Sequence, residues 1–156
     1  MEQLWTMRRK DREIDDVEAR QILKSGRYGV LSTVGSDGSP YGVPISYAFH
    51  DGVIYFHSAP EGRKIEHLNA VPHASFCVVG ATEVQPEMFS TRYESAIASG
   101  EVRELEGEEK QAALGLLIQK YSPNSIPQGM EYIAEAQGST RAFALQVRHL
   151  SAKRRR

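Results

Sequence analysis

The residues best suited to chemistry run from Tyr55 to Lys64, Tyr-Phe-His-Ser-Ala-Pro-Glu-Gly-Arg-Lys. An extended segment ends at His57-Ser58, Pro60 and Gly62 turn the chain, and Gly62-Arg63-Lys64 opens a helix. The first N–H groups of a helix have no intrahelical partner, and the positive end of its dipole lies there. With Arg63, Lys64 and the Ser58 hydroxyl nearby, such a start suits a doubly charged phosphate. Arginine grips two oxygens at once and lysine adds a point charge. An ordinary helix start with two solvated cations has the same spacing, so the pattern leaves both readings open. Pro44 adds a different signal. A proline in a strand removes a ladder donor, belongs at an edge, and leaves main-chain polar groups free for a ligand. His57 is the candidate for supplying a proton near neutral pH, with a structural hydrogen-bonding role as the alternative.

Other chemistries find less support. There is no G-x-S-x-G elbow, and the serines at 32, 46, 58 and 95 have no distinctive flank. The five histidines (50, 57, 67, 73 and 149) and the single Cys77 show no zinc-ligand spacing, so no metal is expected. Cys77 lies in an apolar strand and reads as a buried, inert thiol. One cysteine, and an N-terminal stretch MEQLWTMRRKDR without an apolar leader, point to a reducing cytoplasm. No apolar run approaches the ~20 residues of a membrane span.

These residues must be positioned by a chain of 156 residues, 40% hydrophobic, with net charge −1. That fits one domain with a real core and excludes intrinsic disorder. We place the domain at 1–150, with 151–156 as a basic tail. The clusters Arg8-Arg9-Lys10 and Lys153–Arg156 read as solvated ends rather than a nucleic-acid face, with a weak polyanion contact as the alternative.

The periodicity predicts a helix over 15–25, capped by Asp15 or Asp16 and followed by Gly26. Strands follow at 28–34, 41–49 and 53–58, joined by Ser36–Pro40 and Asp51-Gly52, as a three-stranded meander. A helix over 63–70, a strand over 74–79, a polar loop over 83–88 and a long strand over 91–105, bulged at Gly100, come next. An amphipathic helix over 108–121 turns Ala112, Leu116, Leu117 and Ile118 inward. A short helix over 128–136 and a strand over 141–150 complete the chain. About six antiparallel strands with tight turns argue for a closed or nearly closed barrel with helices outside. A Rossmann sheet is excluded by the missing crossovers and the missing G-x-G-x-x-G.

Several segments carry a family resemblance. Tyr41-Gly42-Val43-Pro44-Ile45-Ser46-Tyr47 and Asp51-Gly52-x-Ile54-Tyr55-Phe56-His57-Ser58-Ala59-x-x-Gly62-x-Lys64 resemble the pyridoxamine 5′-phosphate oxidase-related flavoproteins, nearest the 5-nitroimidazole resistance branch. Arg8-Arg9-Lys10, Ser75–Val78, Tyr93-x-Ser95-x-Ile97-x-x-Gly100, Glu109-Lys110-x-Ala112-x-x-x-Leu116 and Lys120-Tyr121-Ser122-Pro123 continue it in order. The resemblance implies a mainly β fold, a six-stranded antiparallel flavin split barrel that is homodimeric, with FMN sites shared between subunits. By position, Val43, Pro44, Ile45 and Ser46 would lie along the flavin ring. His57 and Ser58 would flank the ribityl phosphate, Arg63 and Lys64 would hold the phosphate, and Ser95 would reach the flavin from a neighbouring strand or subunit. The implied activity is two-electron reduction of a small electron-poor substrate such as a nitroaromatic. The alternatives are a non-catalytic flavin-binding or storage module, or the same barrel with deazaflavin F420 or haem. The phosphate motif at 62–64 favours FMN over haem. True pyridoxamine phosphate oxidases carry an Arg and a Lys where this chain has Val43 and Ala48, so vitamin B6 oxidation is not implied.

Overall fold

The computed structural model describes residues 6–156; the first five positions of the 1–150 domain, and with them part of the N-terminal stretch read for a leader, lie outside the described residues. Among the described residues seven strands form one antiparallel sheet: β1 (Gly29–Val34), β2 (Pro40–Ile45), β3 (Ala48–His50), β4 (Val53–Ser58), β5 (His73–Gln85), β6 (Ser90–Leu105) and β7 (Arg141–Arg155). Four α-helices among the described residues flank it: α1 (Asp16–Ser25), α2 (Arg63–Ala70), α3 (Gly107–Tyr121) and α4 (Ile126–Ala136). No described helix is long and apolar enough to cross a membrane.

The strand order is β2-β1-β5-β6-β7-β4-β3, and the two outermost strands do not pair. The expected six strands are therefore seven, and the barrel is not closed by hydrogen bonds. Nor do residues 28–58 form one meander. They form two hairpins, β1–β2 and β3–β4, at opposite edges of the sheet. Only Ser46 and Tyr47 join those edges. Three Cα–Cα steps of about 3.8 Å keep Ile45 and Ala48 within roughly 11 Å of each other, so the sheet must curl until its edges nearly meet. The expected strand 41–49 breaks here because Tyr47 turns wholly into the core. Its hydroxyl donates to the Leu23 carbonyl, and its ring meets Phe76 edge-on at 4.8 Å.

Local chemistry explains the elements. Asp15 caps α1 by accepting from the Glu18 N–H at 2.8 Å, and Ala19, Ile22 and Leu23 bury one face. Asp51 and Gly52 both take positive φ (52° and 77°), the signature of a type I′ hairpin turn. Pro44 lies on β2, an edge strand, where its missing N–H costs no inner ladder bond. One core lies between α1 and the inner sheet face, built on Leu31, Tyr47, Ile54, Phe56, Phe76 and Leu145. A second lies beneath α3 and α4, built on Ala48, Leu105, Leu114, Leu117, Ile133 and Ala142. In α3 the buried positions are Ala113, Leu114 and Leu117, whereas the expected Ala112 is exposed. Cys77 is half-buried on the sheet face away from the first core, and burial pushes its thiol up.

The basic end is not a solvated tail. Strand β7 runs to Arg155, with Lys153, Arg154 and Arg155 opposite Ser95, Glu94 and Tyr93. Arg154 turns inward to Glu18 at 2.6 Å and Glu94 at 3.0 Å. Those carboxylates, and the extension of β6 to Ser90, supply the ladder and the charge that order it. The other cluster is ordered as well: Arg9 pairs with Asp11, and Arg12 reaches the Tyr93 hydroxyl at 3.5 Å.

The bulge at Gly100 is present. Ser99 faces His149 and Gly100 faces Val147, so Arg148 is the extra residue on β7. A Cβ on Gly100 would lie 1.8 Å from the Gln146 carbonyl oxygen, a backbone atom that cannot rotate away. Gly100→Ala should cost about 3 kcal/mol or more, lowering Tm by roughly 6–12 °C in a thermal melt. An unchanged Tm would mean that the β6–β7 contact is looser than described.

Candidate functional site

Helix α2 starts at Gly62, whose φ of 142° is one that glycine tolerates and L side chains avoid. No side chain caps this start, and a Cβ built on Gly62 would meet nothing within 4 Å. The first-turn N–H groups therefore open onto free space, flanked by Arg63 and Lys64. Neither cation makes an ion pair among the described residues, whereas Arg9, Arg20, Arg103, Arg141 and Arg154 all do. Uncapped N–H donors, two uncompensated cations and room in front of them suit a phosphate dianion.

Two contacts seat α2 on the other side of the sheet's opening. His67 is buried, and its Nδ1 shares a hydrogen bond with the Thr33 hydroxyl on β1 at 3.0 Å. The Arg63 guanidinium lies 5.2 Å from the centroid of the Tyr41 ring on β2, and Tyr41 in turn meets His67 edge-on at 6.0 Å. Helix α2 thus follows β4 in the chain but packs on β1 and β2, and it brings the cations to the start of β2. Little in the local sequence marks His67, Thr33 or Tyr41 as site-building residues. The available signal was a histidine beside Ile65 and Leu68 on the buried side of a short helix.

His57 and Ser58 take opposite faces of β4: His57 reaches solvent and Ser58 is buried. The Ser58 hydroxyl donates to the Ala59 carbonyl at 2.9 Å, so its proton serves the strand end. Partial burial, and then the positive charge of Lys64, hold the His57 imidazole below its ordinary 6.5. Val43 and Ile45 pack toward the first core, whereas Pro44 and Ser46 face outward. The segment 43–46 therefore offers an edge backbone rather than one side-chain face. Ser95 stands apart from this group in the chain, on β6 between Val79 and Lys153. Two surface grooves, one between α1 and β7 and one over Glu101–Arg103 and Gln146–Arg148, also lie away from the helix start.

Residues 15–154 match the family described as pyridoxamine 5′-phosphate oxidase. The chain belongs to that family. No curated protein matches it. Among solved structures, it is similar to a protein of Bacteroides thetaiotaomicron provisionally assigned to 5-nitroimidazole antibiotic resistance. That match has 24% identity over 90% of this chain and 85% of the other, with TM-score 0.75. It is also similar to an FAD-binding protein of Mesorhizobium loti, at 22% identity over 93% and 98% with TM-score 0.68. The haem storage protein HutZ of Vibrio cholerae is similar at 14% identity over 88% and 94%, with TM-score 0.68. At these identities the solved structures establish the shared fold, and family membership rests on the match over 15–154.

The state of His57 can be measured. Because its pKa is lowered on folding, the unfolded chain binds the proton more readily, and stability falls as pH drops through 6.5 toward the folded value. NMR titration should give a His57 midpoint below 6.5, and Lys64→Gln should raise it only partly, since burial is the larger cause. A midpoint at or above 6.5 would show that the imidazole is neither desolvated nor under the influence of Lys64.

Proposed function

We propose that this protein binds FMN, as a homodimer with shared sites, and uses it to reduce small electron-poor substrates such as nitroaromatics. The observation that carries the reading is the open, uncapped start of α2 with Arg63 and Lys64 unpaired beside it. Family membership supports it, as does likeness in fold to an FAD-binding protein and to one tied to nitroimidazole resistance. When bound, the flavin supplies the two-electron chemistry. The chain's residues bind and orient it: Arg63, Lys64 and the first-turn N–H groups hold the phosphate, and the edge backbone of 43–46 lies along the ring. His57, beside Lys64, is the group for moving a proton. A phosphate dianion nearby would raise its pKa toward the range useful for that task.

A second reading, a non-catalytic flavin-binding module, draws on the lowered pKa of His57. Burial and the charge of Lys64 disfavour the imidazolium form in an unliganded site. Reduced, fully loaded protein mixed with a nitroimidazole separates the two readings. Reoxidation slowed about 10²–10⁴-fold by His57→Ala supports the proton role, and no reoxidation in wild type supports the binding module.

The phosphate assignment has its own test. Arg63→Ala with Lys64→Ala should weaken FMN by 10²-fold or more, at about 1.5–3 kcal/mol per charge-assisted bond, while riboflavin affinity changes little. Equal losses for both ligands would remove these cations from the phosphate site.

The outer sheet face supports the proposed dimer. Register places Val30, Cys77, Ile97 and Ser151 in one row across it, with Val79, Ser95 and Lys153 in the next. Val79 is 57% exposed and Ile97 47% in the single chain, an apolar strip that one copy leaves bare. A second copy on this strip would cover Ser95 and bring it to a partner's flavin. Sedimentation of wild type should give twice the chain mass, and Ile97→Asp should give monomers with weakened FMN binding. A monomeric wild type that holds FMN tightly would refute the shared site.

A further inference from the structure

We propose that Lys120 and Tyr121 are positioning residues for the flavin strand: from the end of α3 they lock Tyr47, and through it the segment Val43–Ser46. The proposal rests on the FMN reading above. The Tyr47 N–H donates to the Tyr121 hydroxyl oxygen at 3.1 Å. That hydroxyl has a single proton, and it goes to the Arg27 carbonyl at 2.5 Å. The Tyr47 carbonyl, 3.1 Å from the same oxygen, therefore needs another donor, and Lys120 Nζ supplies it at 3.0 Å. The two side chains have separate tasks, and neither can replace the other.

The ammonium also lies 3.8 Å from the Tyr47 ring centroid and 5.2 Å from that of Tyr121, with no carboxylate paired to it among the described residues. Burial pulls it down to about 8. An ammonium held in such a place against its desolvation cost is there for its partners, and both of its close partners belong to Tyr47. Tyr47 follows Ser46 directly and joins the two sheet edges. With its N–H, carbonyl, hydroxyl and ring all engaged, β2 cannot slide or tilt at its end without breaking the set. Lys120 and Tyr121 thereby fix the orientation of the edge that faces the flavin ring, while Arg63 and Lys64 fix the phosphate.

Hydrogen–deuterium exchange on the flavin-free protein tests the latch. The Tyr47 amide should be protected in wild type and should exchange roughly 5- to 10-fold faster in Tyr121→Phe, the size of one net hydrogen bond, with the α3 amides unchanged. Titration tests the positioning. Lys120→Met and Tyr121→Phe should weaken FMN and riboflavin by the same factor, roughly 5- to 10-fold, and shift the visible band of the bound flavin. Lys120→Arg should restore most of both. Unchanged Tyr47 exchange overturns the latch. A lower Tm with flavin affinity and band unchanged shows that the two residues only stabilise the fold, and overturns the positioning role. No flavin binding by wild type overturns the FMN reading and the positioning role with it, while the exchange result still decides the latch.

Discussion

The two-residue crossing at Ser46-Tyr47 constrains the whole molecule. Because β2 and β3 are opposite edges of one seven-stranded sheet, a chain that joins them in two residues can exist only if the sheet is curled nearly shut. The crossing leaves the edges close, with no ladder between them among the described residues. Tyr47 makes the crossing tolerable. A wholly buried residue between two strands would leave its backbone polar groups orphaned, at a cost of about 1–3 kcal/mol each, and here they are met from α3 instead of from a neighbouring strand. The bulge that admits Arg148 on β7, and the extra residue on β5 between Val79 and Thr82, are the places where the long central strands bend.

The best-paired cations belong to the scaffold. Arg141 is doubly bonded to Glu104 at 2.9 and 2.6 Å, and Arg154 ties α1 to β6. Such partly buried pairs hold elements together and have no charge left for a ligand. At the start of α2 the cations stack on an aromatic ring or depress a neighbouring imidazole, and no carboxylate among the described residues pairs with them. A net charge of −1 over the whole chain conceals this difference, which appears only when the partner of each cation is identified.

Much of this was legible in the sequence, because turns and caps are local. Asp15, Asp51-Gly52, the proline on an edge strand and the bulge at Gly100 each follow from what one or two residues can do. The helix start at 62–64 was legible for the same reason. Long-range partnership was not. Nothing near Tyr47 in sequence shows that Tyr121, 74 positions on, replaces a strand as its partner, so 41–49 reads as one strand. Nothing near Arg154 shows that Glu18, 136 positions away, will draw the basic end into the sheet. Ser95 could be placed on a strand, but its part in a site depends on a surface beyond the single chain.

The positions where this chain departs from true pyridoxamine phosphate oxidases bear on what it can reduce. Ala48 is 5% exposed within the second core, and Val43 packs against the first. A cation at either place would have to be taken out of water without a partner, which costs several kcal/mol, so these are not sites from which a charge has merely been trimmed. They are packed as apolar positions. On the proposed FMN reading, Arg63 and Lys64 at the α2 start serve the cofactor's phosphate, and β2 carries no cation for a second one. On that reading the substrate beside this strand is expected to be uncharged, recognised by shape and electron affinity rather than by ionic grip. A nitroaromatic fits that expectation, and a vitamin phosphate, with its dianion and no cation on β2 to meet it, does not.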